Sequence, residues 1–111
     1  MTYQEVNTMI DSIDVPYAYY QFDEKTAQPT PFICFYYRSD NDLAADDTNY
    51  QKIRLLVLEL YTDEKSFTLE DTIETTLNHN GLVYSKYESY IDTEKMLMVT
   101  YETEVVITEG D

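Results

Sequence analysis

Apolar residues recur along the chain with two periods, one helical and one alternating. Segments 2–13 and 68–79 carry apolar residues at helical spacing, and each begins with a threonine followed three residues later by an acid. That pair is typical of a capping box, in which two side chains satisfy free backbone amides at a helix start. Pro16 would end the first segment and Asn80-Gly81 the second, so two helices are predicted.

Segments rich in aromatic and β-branched residues predict five strands. These strands, with polar loops over 23–30 and 39–49 between them, span residues 17–22, 32–38, 50–61, 82–91 and 96–107. Strand 50–61 is apolar on both faces, which is typical of a central strand covered by helices on one side. Its other side would meet something else, a partner subunit being one possibility and burial within the domain the other.

The order of these elements predicts the fold class. A helix, three strands, a helix and two strands are typical of an α+β domain. We expect a single antiparallel or mixed sheet of four to five strands, with both helices packed on one face. The length of 111 residues allows one domain over 1–111, with residues 108–111 as a mobile acidic tail.

The charge balance excludes several kinds of partner. The chain has 22 Asp and Glu against 7 Lys and Arg, a formal net charge of −15. A protein that grips nucleic acid through its phosphates needs a basic surface, and an anionic membrane would repel this chain. A hydrophobic share of 43% with 14% aromatics is too high for a disordered acidic tail.

The residue types that usually carry catalysis are scarce. Cys34 is the one cysteine, in an aromatic strand, and is predicted to be a small buried hydrophobe; His79 would favour the negative end of the second helix. The acidic loop around Asp42 and Asp46 has neither the glycine nor the late glutamate of a calcium loop. With no zinc spacing and no glycine-rich phosphate loop, we predict no enzyme, no metal site and no cofactor.

Tyrosine is the remaining peculiarity, with 12 residues concentrated in the predicted strands. Tyrosines can form cross-strand pairs on a half-exposed sheet. They are also enriched where proteins meet, because the ring is apolar and the hydroxyl polar. The sequence leaves both interpretations open.

Several short motifs, taken in order and spacing, resemble the tail terminator (tail-completion) proteins of long-tailed bacteriophages. The motifs are Pro31-Phe32-Ile33-Cys34-Phe35-Tyr36, Ala45-Asp46-Asp47 with Tyr50, Leu58-Glu59-Leu60-Tyr61-Thr62, Glu70 with Ile73-Glu74, Glu94-Lys95-Met96 and Tyr101-Glu102. The resemblance implies an α+β subunit of a hexameric ring that caps the tail tube, ends its polymerisation and joins tail to head. Its partners would be further copies of itself, the tail-tube protein and head-side connector proteins, in the virion and, during assembly, the host cytoplasm.

The resemblance also implies a channel through which DNA passes without being held, and carboxylates on a channel wall would repel phosphates. We expect the acidic loop to face either this channel or a neighbouring subunit. We expect further subunit contacts along the exposed edge of the last strand. The loop residues are Asp40, Asp42, Asp46 and Asp47, and the expected subunit contacts are Tyr50, Tyr61, Met98, Glu102 and Glu104.

An acidic inhibitor that mimics DNA is the competing function. Such a protein presents carboxylates at phosphate-like spacing and occupies a DNA-binding host protein. A mimic should concentrate its acids on one face, whereas here they are spread over loops, helix starts and the C-terminal tail. A head-side connector or stopper is a third possibility.

Overall fold

The computed structural model describes residues 1–23, 27–40 and 52–108, with the backbone alone at 39 and 40. Its elements are α1 (Tyr3–Asp11), β1 (Tyr17–Tyr19), β2 (Phe32–Asp40), β3 (Lys52–Thr62), α2 (Phe67–His79), β4 (Tyr84–Ile91) and β5 (Met96–Ile107). One mixed sheet has the strand order β1-β2-β3-β5-β4, and its core is shared with both helices. The predicted α+β class is confirmed.

The start of α1 matches its sequence signal and the start of α2 does not. Thr2 Oγ1 accepts from the Glu5 amide at 3.0 Å, and Glu5 Oε1 accepts from the Thr2 amide at 2.9 Å. In α2 the cap is Ser66, whose hydroxyl accepts from the Leu69 amide at 3.2 Å. The expected capping box at Thr68 is therefore wrong, because the helix begins one residue earlier, at Phe67.

The ends of the helices also differ in how far they agree with the sequence. α1 ends at Asp11 with Ser12 as its C-cap, well before Pro16, although Ile13 beyond it is still buried. α2 ends as predicted, because Asn80 caps it and Gly81 takes a positive φ of 73° that favours glycine.

The first strand is shorter than predicted and parallel to its neighbour. β1 ends at Tyr19 and pairs parallel to β2, so the connection between them is not a hairpin. Tyr20 has a φ of 71°, and its amide donates to the Phe35 carbonyl at 2.7 Å, which turns the chain out of the strand. Residues after Tyr19 therefore do not extend β1.

β3 lies at the centre of the sheet, as its two apolar faces predict. The last strand, β5, has no exposed edge, because it pairs with β3 on one side and β4 on the other. The expectation that the last strand has an exposed edge is therefore wrong, while the subunit contacts expected for its residues stay a prediction. The outer strands of the sheet are β1 and β4, and the helix α2 carries the chain from β3 across β5 to β4.

The core lies between the helices and one face of the sheet. Both helices contribute, with Val6 and Ile10 from α1 and Ile73 and Leu77 from α2. The alternate residues of β5 from Leu97 onward face them and form the strand's buried side. Neither of the two described helices packs on the opposite face of the sheet.

Candidate functional site

The sheet face opposite the helices, called the open face below, consists of the alternate residues of each strand that point away from the core. Three cross-strand rows define it across β2, β3 and β5. The rows are Phe32–Tyr61–Met98, Cys34–Glu59–Thr100 and Tyr36–Val57–Glu102. One strand pair further along, Leu55 lies opposite Glu104.

The structure brings four of the predicted contact residues together on this open face. Tyr61 lies directly opposite Met98 on adjacent strands, and Glu102 and Glu104 follow further along β5. Asp40, expected in a loop, belongs to β2 and lies opposite Arg54, so that expectation is wrong for its backbone. The other predicted residues, Asp42, Asp46, Asp47 and Tyr50, lie outside the described residues.

An apolar side chain near the middle of the open face, that of Val57, is covered by its neighbours. Val57 is only 1% exposed although no helix packs on this side. The Arg38 guanidinium on β2 pairs with the Glu102 carboxylate on β5 at 3.1 Å, spanning the central strand beside Val57. At the far end, Val106 is 40% exposed opposite Ile53. The face therefore mixes apolar strips with paired charges.

A single carboxylate, that of Glu59, lies near the centre of the open face and accepts hydrogen bonds from two tyrosines. The Tyr61 hydroxyl donates to Oε1 at 2.7 Å and the Tyr36 hydroxyl donates to Oε2 at 3.4 Å. Burial, together with these bonds and the charge of Glu59, raises the pKa of both tyrosines. Both hydroxyls therefore stay protonated and remain donors at neutral pH.

A groove of about 590 Å³ opens around this carboxylate. Its floor comes from β2 and β3, with Cys34 beside Glu59, and one rim comes from Glu94 in the turn before β5 and Met96 at the start of β5. The chain after β1 forms the opposite wall, where the Phe22 ring meets the Phe32 ring edge to face at 5.4 Å. The groove therefore combines aromatic walls with acidic groups.

Cys34 has the buried, unreactive setting that the sequence predicts. It is 5% exposed, and burial, followed by the charge of Glu59, raises the pKa of its thiol to about 11. A backbone hydrogen bond from Phe22 opposes this shift without reversing it. At neutral pH the thiol stays protonated and is a poor nucleophile.

A second polar cluster, between α2 and β4, was not predicted from the sequence. Glu70 is 2% exposed and pairs with Lys65 at 2.9 Å and Lys86 at 2.8 Å. Lys86 also pairs with Glu74 at 2.6 Å, and the Tyr101 hydroxyl donates to Glu74 at 2.8 Å. Glu70 and Glu74 fall at helical spacing with the apolar stripe of α2, which is the signal that would have placed them against the sheet.

Neither a metal site nor a membrane-spanning helix is found in the described parts of the chain. Residues 1–23, 27–40 and 52–108 contain no group of three or more His, Cys, Asp or Glu placed to hold a metal ion. Neither of the helices described above has the length and apolar character needed to span a membrane.

Comparison with known proteins shows a likeness in fold. A chain in the solved structure titled "Virion of native gene transfer agent (GTA) particle" has a TM-score of 0.55 and 11% sequence identity to this chain. The match covers 94% of this chain and 90% of the other. No family model and no curated protein sequence matches the chain. At that identity the likeness concerns the fold.

Proposed function

We propose that this chain is a structural protein of a phage-like virion, a tail terminator whose copies form a ring of six. The ring would cap the finished tail tube, stop its polymerisation and join it to head-side connector proteins. The observation that carries the proposal is the likeness in fold to a chain of a gene transfer agent virion, over nearly the whole length of both chains. The sequence resemblance to tail terminators supplies the specific role.

The open face supports an assembling subunit, since it is a sheet surface that neither α1 nor α2 covers. Tyr61 and Met98 form an aromatic and aliphatic pair in adjacent strands of that face. Tyr87, on the same face of the outer strand β4, is 55% exposed. Aromatic residues and methionine are enriched at protein interfaces, so we place the contact with the next copy here.

A closed ring requires heterologous contacts, in which one surface meets a different surface of the next copy. The open face would supply one of the two surfaces. Each added subunit brings a further charge of −15, so the copies repel one another at low ionic strength. Salt screens such repulsion over about 8–10 Å, and assembly should therefore improve as salt is added.

The acidic character suits a channel through which DNA must move. Carboxylates repel phosphates and lower the residence of DNA along the path. The proposal places the acidic segment from Asp40 to Asp47 either on the channel wall or against a neighbouring subunit. The protein would lie at the head–tail junction of the virion, after assembly in the host cytoplasm.

Deletion of the gene from the virus or prophage that carries it tests the role. Electron microscopy should then show tubes longer than normal and tails without heads, with normal particles restored when the gene is supplied in trans. Tubes of normal length that fail to join heads would instead favour a head-side connector. Normal, joined particles would contradict any tail role, and capture of a DNA-binding host protein would favour the DNA mimic.

A further inference from the structure

The groove on the open face holds a negative charge that the described residues leave without a basic partner. Glu59 accepts from Tyr61 and Tyr36, one bond at each carboxylate oxygen. A carboxylate offers about four lone-pair positions, so both oxygens retain capacity to accept. Within residues 1–23, 27–40 and 52–108, the ion pairs join other residues and none involves Glu59.

Flat aromatic rings stand on either side of this carboxylate. Phe32 stacks on Tyr61 with ring centroids 4.9 Å apart, and Tyr20 stacks on Tyr36 at 5.2 Å. The negative faces of such rings attract cations, most strongly where water is partly excluded. Rings beside a carboxylate make this groove complementary to a planar cation.

Tyr20, which forms part of the groove wall after β1, is held in place by an unusual backbone conformation. An aromatic residue rarely adopts a φ of 71°, which costs conformational energy. The hydrogen bond from the Tyr20 amide to the Phe35 carbonyl, at 2.7 Å, fixes that conformation. It directs the Tyr20 ring onto Tyr36 at the side of the groove, so the wall exists before any ligand arrives.

The geometry points to this groove as the docking site for an arginine side chain presented by another protein. A guanidinium is planar, stacks on aromatic rings and donates several hydrogen bonds to a carboxylate, whereas a lysine ammonium is a compact point charge. Glu59 would accept the guanidinium hydrogen bonds, and the rings of Tyr36 and Tyr61 would border it. The inference does not rest on the proposed ring, because residues of one subunit build the whole groove; the groove shares Tyr61 with the part of the open face proposed to contact the next copy.

The chain's own composition favours a different protein as the source of that arginine. Arg38 already pairs with Glu102, while Lys65 and Lys86 pair with Glu70. A second copy would bring its own net charge of −15 toward an acidic groove. A basic partner surface is complementary to that charge and is attracted over a longer range.

Nuclear magnetic resonance titration of the full chain with Nα-acetyl-arginine amide tests the site. The matched probe is Nα-acetyl-citrulline amide, which has nearly the same shape and no charge. The arginine probe should shift the amides of Cys34, Glu59 and Tyr61 and bind about tenfold more tightly than citrulline. Equal binding of the two probes, or no binding of the arginine probe, would overturn the inference.

Substitutions in the groove test whether the arginine probe binds there. Glu59→Gln should weaken the arginine probe about tenfold, while Glu102→Gln, an acid on the same face, should change it less than about twofold. If Glu59→Gln alters the fold, Tyr36→Leu keeps the carboxylate, removes one aromatic wall and should cost about threefold. Unchanged affinity in these groove variants would overturn the assignment of the arginine site to the groove.

Discussion

The guanidinium of Arg38 on β2 crosses the central strand and lies 3.1 Å from the carboxylate of Glu102 on β5. The two residues are joined over β3, where Arg38 lies opposite Leu55 and Glu102 lies opposite Val57. The pair helps to cover Val57 on a face that has no helix. It also means that Glu102, an expected subunit contact, already has a partner within its own subunit.

We expect this ion pair to contribute little to the stability of the monomer. Both groups are partly exposed, with side-chain exposures of 54% and 20%. A double-mutant cycle with Arg38→Met and Glu102→Gln, followed by urea denaturation, should give a coupling free energy below about 1 kcal/mol that shrinks with salt. A coupling that is larger and insensitive to salt would mean that the pair is effectively buried.

The polar cluster between α2 and β4 should contribute more to the stability of the monomer than the Arg38–Glu102 pair does. Lys86→Met leaves the buried Glu70 with Lys65 alone and removes the basic partner of Glu74, which keeps the hydrogen bond from Tyr101. We expect a loss of about 2 kcal/mol in the free energy of unfolding, because an incompletely paired carboxylate stays out of water. Glu88→Gln, which breaks only the exposed pair with Lys65, is the matched control and should cost less than about 1 kcal/mol. Equal losses in the two variants would contradict this account.

The same cluster predicts how stability depends on acid. Burial raises the pKa of Glu70 and Glu74, but hydrogen bonds outweigh it, from Lys86 and Lys65 to Glu70 and from Lys86 and Tyr101 to Glu74, and hold both pKa values below the ordinary range. The stabilisation is therefore complete above the unfolded-state pKa of about 4.3 and is lost as pH falls through the lower folded values. Urea midpoints measured below pH 5 should fall less steeply in the Glu70→Gln/Glu74→Gln variant than in the wild type. Parallel curves would contradict the assignment.

The open face should be the surface that self-association needs. Met98→Asp adds a charge beside Tyr61, and we expect it to abolish self-association while changing monomer stability by less than about 1 kcal/mol. Thr75→Asp adds the same charge on the exposed side of α2 and should leave association unchanged. Sedimentation of both variants at equal concentration makes the comparison. Association that fails in Thr75→Asp and persists in Met98→Asp would place the contact on the helices.

Local patterns predict those parts of the fold that depend on local physics. The capping box of Thr2 and Glu5, the glycine after α2 and the alternation along β5 are properties of neighbouring residues, and all three are seen. The cap of α2 differs because Ser66 and Thr68 are both capable residues, and the packing of the helix selects between them. The strand at Asp40 depends on pairing with Arg54, which no local pattern encodes.

Only part of the candidate site can be predicted from the sequence, because the rest depends on how the strands pair. Tyr61, Met98 and Glu102 share a face because strand alternation fixes it within each strand. Glu59 stands out only after β2 and β3 are set in register, since this brings Cys34 opposite it and two tyrosine hydroxyls within reach. The signal that the sequence does contain is the position of Glu59, a charged residue inside an otherwise apolar strand.

The mass of the purified chain across salt concentrations tests the proposed ring most directly. We expect the 13.1 kDa monomer at low salt and, near about 0.5 M salt, a closed species of six times that mass that appears as a ring in the electron microscope. A species with a different but fixed number of copies would support a closed assembly and change the number of subunits proposed for it. A monomer at every salt and protein concentration would contradict the account.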